Sequence, residues 1–320
     1  MDKRRLLAQL EKRASRRLMF QLYAVPYDHS RPFGIDNVGV YEWQVRFHNL
    51  GSDHAERLLM AANRVGKSRT GAAEVAIHLT GLYPSWWQGR RFDEPVHWWC
   101  GSDTNETSRD IVQAALLGPI GRFGTGWVPG DLLHGNPTAR QAGIGNVVDA
   151  FIVKHASGGF SHCGLKTYEQ GVKTWQGTSK HGIWDDEEPP MDIYSEGLTR
   201  LLDKKGIMLV TRTPLGGPTE VVQHFMTGGP GIAVVNASWD DAPHLDDTEK
   251  LRLAASYPEY ERETRTKGAP LMGTGMVFPI PDDRIICDPF DLPKWFRRIN
   301  GVDFGIDHPG AGAFCALDPT

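Results

Sequence analysis

The octapeptide Ala61-Ala62-Asn63-Arg64-Val65-Gly66-Lys67-Ser68 constrains this chain more than any other part of it. It ends in Gly-Lys-Ser, follows the apolar run Leu58-Leu59-Met60, and leads into a helix-like stretch from Thr70 to Leu82. A strand, a short loop and a helix N-terminus in that order make a phosphate-binding loop. Backbone N–H groups at the helix start face the phosphates, Lys67 reaches the outer ones, and the Ser68 hydroxyl can hold Mg²⁺. The pattern departs from GxxxxGK[ST] at its first position, where Ala61 replaces glycine. A bare Gly-Lys-Ser recurs by chance, so the assignment depends on partners farther along the chain.

The strongest partner is Gly182-Ile183-Trp184-Asp185-Asp186-Glu187-Glu188-Pro189-Pro190. A β-prone run ends there in consecutive carboxylates and is stopped by two prolines, which cannot continue a strand. Acids at the C-terminal end of a buried strand sit where open α/β sheets bind ligands. Phosphoryl transfer needs one acid there for the Mg²⁺ shell and a neighbour to position water, so Asp186 is assigned the metal and Glu187 the water. An amphipathic stretch then runs to about Leu202, and Gly206-Ile207-Met208-Leu209-Val210-Thr211-Arg212-Thr213-Pro214 reads as a further short strand. Beside the acidic strand, it would set Thr211 and Thr213 close to the γ-phosphate.

Together these residues resemble the ATPase part of the large terminase subunit of tailed bacteriophages, the motor that drives DNA into preformed capsids. The loop Asn63 to Ser68, the segment Trp184 to Pro190 and Thr211-Arg212-Thr213-Pro214 carry the likeness. Trp175-Gln176-Gly177 and Gly197-Leu198-Thr199-Arg200 fit as well, so matching motifs run from about Trp43 to Asp307. The resemblance implies an α/β P-loop NTPase of the helicase-like, additional-strand type with a mostly parallel central sheet. It also implies a small lid subdomain and the first strand of an RNase H-like nuclease fold. ATP is the implied ligand, bound by Ala61, Ala62, Asn63, Arg64, Val65, Gly66, Lys67 and Ser68, with Mg²⁺ on Ser68 and Asp186. Arg64 falls where the family carries an arginine that senses or stabilises the γ-phosphate. Gln44 lies where such motors place an adenine-reading glutamine, with Trp43 or Phe47 expected to stack nearby. Thr211 and Thr213 match a motif that couples hydrolysis to movement. Many relatives carry Leu-Arg-Gly where this chain has Trp175-Gln176-Gly177, which leaves Lys173, Lys180 or Arg200 as candidates for a basic residue acting on a neighbouring subunit's site.

At the far end, Arg298-Ile299-Asn300-Gly301-Val302-Asp303-Phe304-Gly305-Ile306-Asp307-His308-Pro309 reads as a strand presenting an acid, then a turn. It is similar to the first strand of the family's nuclease, which implies Asp303 as the first metal-binding carboxylate of an incomplete site. Two-metal cleavage needs several carboxylates, and the sequence is expected to end at Thr320 before any later strand could supply the others. The expectation is an ATPase with a stub of nuclease, endonuclease activity only in a longer chain, and little order over 302–320. The expected domains are a helical arm over 1–35, the ATPase core over 36–240, lid and linker over 241–285, and the nuclease start over 286–320.

Between the motifs, strands are expected near Val96–Cys100, Val147–Lys154, Cys163–Tyr168 and Ile232–Ala237, with a helix capped at Ser102-Asp103-Thr104. Phe123 to Gly145, rich in Gly and Pro, reads as a long surface loop. Asp246 to Lys267 reads as charged helix, and Gly268 to Pro281 as a linker.

With 320 residues and 40% hydrophobic content, there is material for one sizeable core and an appendage. No apolar run approaches the ~20 residues of a membrane span, and the N-terminus is charged; the resemblance implies the host cytoplasm as the compartment. The four cysteines lie far apart without metal-ligand spacing, which suits reducing conditions. A net charge of −4 is unusual for a tight DNA binder, but a motor must release its track on every cycle. The implied partners are double-stranded DNA, the portal protein, the small terminase subunit and further copies in a ring on the procapsid. Two other readings stand beside this one: a helicase or remodelling ATPase, and a non-hydrolysing nucleotide-dependent assembly protein.

Overall fold

In a computed structural model, the described residues are 22–34, 37–140, 145–215, 219–268, 287–303 and 311–317. The expected arm residues up to 21 and most of the linker lie outside them. Two compact units divide the chain, residues 1–276 and 277–320.

In the first unit, eight strands form one sheet: β1 (Glu56–Ala61), β2 (His97–Ser102), β3 (Leu133–Ala139), β4 (Val148–Lys154), β5 (Phe160–Thr167), β6 (Gly182–Asp186), β7 (Ile207–Arg212) and β8 (Ile232–Ala237). Their order is β3-β4-β5-β2-β6-β7-β1-β8. From β5 to β8 every pairing is parallel, whereas β3 and β4 pair antiparallel at one edge. The acidic strand β6 and the loop strand β1 are separated by β7, the extra strand expected of the additional-strand type.

Side-chain alternation explains why these strands read as continuous apolar runs. Leu59, Trp98, Cys100, Trp184, Ile207 and Leu209 face the helix Lys67–Thr80 in one core layer. Leu58, Met60, Trp99, Ile183, Met208 and Val210 face the helices Met191–Leu201 and Glu220–Thr227 in the other. A strand covered on both faces has no polar side, so its sequence is apolar throughout.

Gly71 lets the Lys67–Thr80 helix lie directly on this sheet. A Cβ at Gly71 would come within 2.2 Å of the Trp184 indole, whose ring is fully buried. Gly71→Ala is therefore expected to destabilise the fold by about 1–3 kcal/mol. The check is a lower urea midpoint at unchanged slope; an unmoved midpoint would contradict the packing.

One expectation is corrected here and two are refined. The stretch read as loop from Phe123 to Gly145 contains β3, which carries Pro137 and a left-handed Gly135. Edge strands tolerate both residues, so turn-like composition conceals a strand whose register with β4 shifts twice. The charged helical stretch divides into Asp247–Ser256 and Glu259–Lys267 around Pro258. Two of the well-separated cysteines, Cys100 and Cys163, meet across β2 and β5 with their Sγ atoms 3.6 Å apart, both free thiols.

A buried ionic knot ties the helix Glu42–Asn49 to β1 and the loop helix. Glu74 pairs with Arg57 at 2.6 Å and with His48 Nδ1 at 2.6 Å, while the Tyr23 hydroxyl donates to His48 Nε2 at 2.7 Å. Burial alone would push the Glu74 carboxyl up, but Arg57, His48 and His78 together hold it well below the ordinary carboxylate value. Burial likewise lowers the His48 pKa, which suits a neutral ring donating from Nδ1 and accepting at Nε2.

The second unit contains β9 (Arg297–Asp303) and β10 (Ala311–Leu317), paired antiparallel. Part of the region expected to lack order, residues 311–317, is thus a paired strand. Asp303 ends β9 opposite Ala311, and its expected metal-binding side chain lies outside the described residues.

Candidate nucleotide site

Alternation along β6 chooses between its two aspartates. Asp186 lies on the Trp184 face, toward the loop helix, while Asp185 lies on the Ile183 face, toward the opposite core layer. Across β7, Thr211 is the register partner of Asp186.

Ala61 closes β1 and Ala62 follows it, and Gly66 takes a left-handed backbone (φ +110°) that turns the chain into the helix beginning at Lys67. Val65 is buried beneath the turn. Ser68 Oγ donates to Asp186 Oδ2 at 3.1 Å, and Thr211 Oγ1 donates to Asp186 Oδ1 at 2.8 Å. A hydroxyl beside a carboxylate suits Mg²⁺, which takes few protein oxygens and keeps waters and phosphates for its remaining positions. Burial raises the Asp186 pKa against the hydrogen bonds from Thr211 and Ser68. Lys67 is lowered by burial, and Glu187 and Asp186 oppose that shift.

Glu187 follows β6 with its backbone in the left-handed region, φ +67°. Its N–H donates to the Thr211 carbonyl at 2.8 Å, and its Oε2 accepts from the Thr213 N–H at 3.3 Å. Burial pushes its carboxyl up to about 7, with Lys67 pulling the other way. Thr213 Oγ1 also donates to Asn63 Oδ1 at 3.2 Å, so the end of β7 touches both the acidic strand and the loop. The geometry brings Lys67, Ser68, Asp186, Glu187, Thr211, Thr213 and Asn63 into one cluster.

Arg64 has a left-handed backbone (φ +63°) and an exposed side chain on a cavity of about 310 Å³ shared with Trp239, Asp246, Glu249 and Leu253. Its carbonyl accepts from His244 Nε2 at 3.0 Å. Gln44 is buried, accepting from the Tyr41 N–H at 2.9 Å and donating to Thr70 Oγ1 at 2.8 Å. It lines a cavity of about 180 Å³ with Phe33, Tyr41, Val65, Gly66, Arg69 and His244.

The stacking expectation for Trp43 and Phe47 is corrected. Trp43 is a core residue donating to the Asp241 carbonyl at 3.1 Å, and Phe47 is fully buried. Both face inward because the helix Glu42–Asn49 packs that side onto the core. The aromatic wall of the cavity is instead Tyr41, stacked on His244 at 5.8 Å and 7°, together with Phe33. Aromatic residues on either side of a helix start give no signal in sequence as to which one faces a ligand.

The basic candidates stand apart from the cluster. Lys173 is exposed on a short turn. Arg200 is engaged by Glu196 at 3.0 Å and by the Gly177 carbonyl. Lys180 is buried 4.4 Å from the Trp99 ring, and burial, with Lys166 and Arg200 nearby, pushes its ammonium down to about 8. That environment removes it from any surface role. Sequence reading also passes over the Arg212–Glu188 ion pair, which Thr219 joins through Glu188. Alternation is the available signal, since it sets Arg212 on the face opposite Thr211.

Residues 58–284 match the family model described as terminase large subunit, T4likevirus-type, N-terminal. The terminase large subunit of Salmonella phage P22 is 43% identical over 293 residues, covering 85% of this chain and 58% of that protein. That of Enterobacteria phage LP7 is 43% identical over 123 residues, covering 38% and 26%. The chain thus spans only part of the length of these relatives. Among solved structures, the large terminase of a thermophilic bacteriophage in complex with ADP superposes with TM-score 0.57 at 12% identity, over 87% of this chain and 65% of that one. The Thermus phage P74-26 large terminase ATPase domain gives 0.53 at 15% identity, over 79% and 97%. At such identities the likeness concerns the fold.

Proposed function

The chain belongs to the terminase large-subunit family, and from that premise we propose that it is the ATP-hydrolysing motor part of a DNA-packaging machine. The observation that carries the proposal is the convergence of Lys67, Ser68, Asp186 and Glu187 at the C-terminal ends of β1 and β6, with the Thr211 hydroxyl bonded to Asp186 and the Thr213 N–H to Glu187. The relatives named above lend the packaging role.

In this reading, the loop N–H groups and the Lys67 ammonium hold the phosphates of ATP. Ser68 and Asp186 would hold Mg²⁺, which when bound would neutralise charge on the phosphate oxygens. Glu187 orients the water that attacks the γ-phosphorus, and ADP leaves. Thr211 and Thr213 connect Asp186 and Glu187 to Asn63 in the loop, so a change at the phosphates reaches β7. Double-stranded DNA is the track, and the portal protein, the small terminase subunit and further copies in a ring on the procapsid are the partners. The site of action is the host cytoplasm. Among the described residues, no helix is long and apolar enough to cross a membrane. A nuclease metal site beginning at Asp303 belongs to the same proposal.

A basic residue supplied by a neighbour, Lys173 or Arg200, completes the site in trans, and such a residue is worth ~10³-fold in rate. Specific ATPase activity is therefore expected to rise with protein concentration as copies associate, read by phosphate release alongside light scattering. Flat specific activity from a monomer over a wide concentration range would contradict the trans contribution.

A further inference from the structure

We propose that Tyr168 is a positioning residue whose hydroxyl holds the Glu187 peptide in the left-handed conformation that aims its carboxylate at the loop. The inference rests on the reading of Glu187 as the water-orienting group.

A non-glycine residue at φ +67° is strained, and such strain persists only where the surroundings over-determine it. Three hydrogen bonds do so here. Two come from the end of β7: the Thr211 carbonyl takes the Glu187 N–H, and the Thr213 N–H reaches Glu187 Oε2. The third comes from the other side of the sheet order, where the Tyr168 hydroxyl donates to the Glu187 carbonyl at 2.9 Å. Without it, the peptide would be fixed from one side only.

Tyr168 follows β5, and β2 lies between β5 and β6. Its ring reaches across because Gly101 on β2 has no side chain. A Cβ there would lie 2.9 Å from Tyr168 Cε1 and 2.3 Å from Asp185 Oδ1. Trp175, 6.0 Å away at 33°, backs the ring, and Tyr168 is 7% exposed. Its exposed edge borders an open cavity of about 540 Å³ shared with Asp103, Glu188 and Thr219. The hydroxyl is thus aimed by packing, and its acceptor is the carbonyl of the strained residue.

The test is Tyr168→Phe in the 320-residue chain, which keeps the ring and removes only the hydroxyl. The expected result is a fall of about tenfold in kcat with KM for ATP and the melting temperature unchanged. No further loss is expected when the same change is made in Glu187→Gln. Amide hydrogen exchange over residues 186–191 is expected to quicken while the remaining peptides stay at wild-type rates. An unchanged kcat, a loss carried by KM, the same fold-loss in the Glu187→Gln background, or unaltered exchange over 186–191 would overturn the assignment. A wild-type chain that hydrolyses no ATP would instead overturn the proposed function, and the exchange measurement would still decide whether Tyr168 holds the peptide.

Discussion

Steady-state ATP turnover by Glu187→Gln is expected to fall by a factor on the order of 10²–10⁴, with nucleotide binding close to wild type. The amide keeps the size of the carboxylate and still accepts from the Thr213 N–H, so the loop geometry survives. In the proposed role, what it loses is the basic oxygen that draws on the attacking water. Lys67→Ala is expected to behave differently and lose binding as well, because the half-buried ammonium is then missing from the loop proposed to face the phosphates. The two variants separate chemistry from binding when turnover is measured beside the equilibrium affinity for a nucleotide analogue. Near-normal turnover by Glu187→Gln would remove it from the water-orienting role. Glu188 would not inherit that role easily, since it is paired with Arg212, and Asp185 points to the opposite face of the sheet.

The largest expected loss of stability is at Glu74. Removing this carboxylate leaves the Arg57 guanidinium buried, with 1% of its side chain exposed, and without its counter-charge. Breaking a buried pair from one side costs roughly 3–5 kcal/mol, so Glu74→Ala should lower Tm by about 10 °C. The double change Glu74→Leu with Arg57→Met is expected to recover part of that loss, because no uncompensated charge remains. Calorimetry of the three chains decides the matter. A single variant melting within a degree or two of wild type would show that the knot contributes little to the fold. The knot also joins the Gln44-bearing helix to the loop helix, so its loss is expected to loosen the cavity that Gln44 lines.

Much of this architecture is legible because its signals are local. β1, β7 and β8 are short apolar runs bounded by turns, and the acidic strand ends at two prolines. A strand that must be apolar on both faces advertises its burial, and residues at its C-terminal end advertise the site. Other features depend on distant partners. β3 is concealed by Gly135 and Pro137, which an edge strand accepts and an interior one would not. Tyr41 rather than Trp43 faces the cavity because of how one helix is rotated against the core. The Glu74 knot and the Tyr168 contact each join residues that only the folded sheet brings together. The choice of Asp186 over Asp185 combines the two, since period-two alternation sets them on opposite faces and packing decides which face meets the loop helix.

Phosphate release from Mg–ATP under single-turnover conditions, with protein in excess and Glu187→Gln as the control, tests the central claim most directly. The account predicts release by the wild-type chain, faster at higher protein concentration, and release slowed by at least about a hundredfold in the control. Tight ATP binding without release by the wild-type chain, or equal release by both, would contradict it.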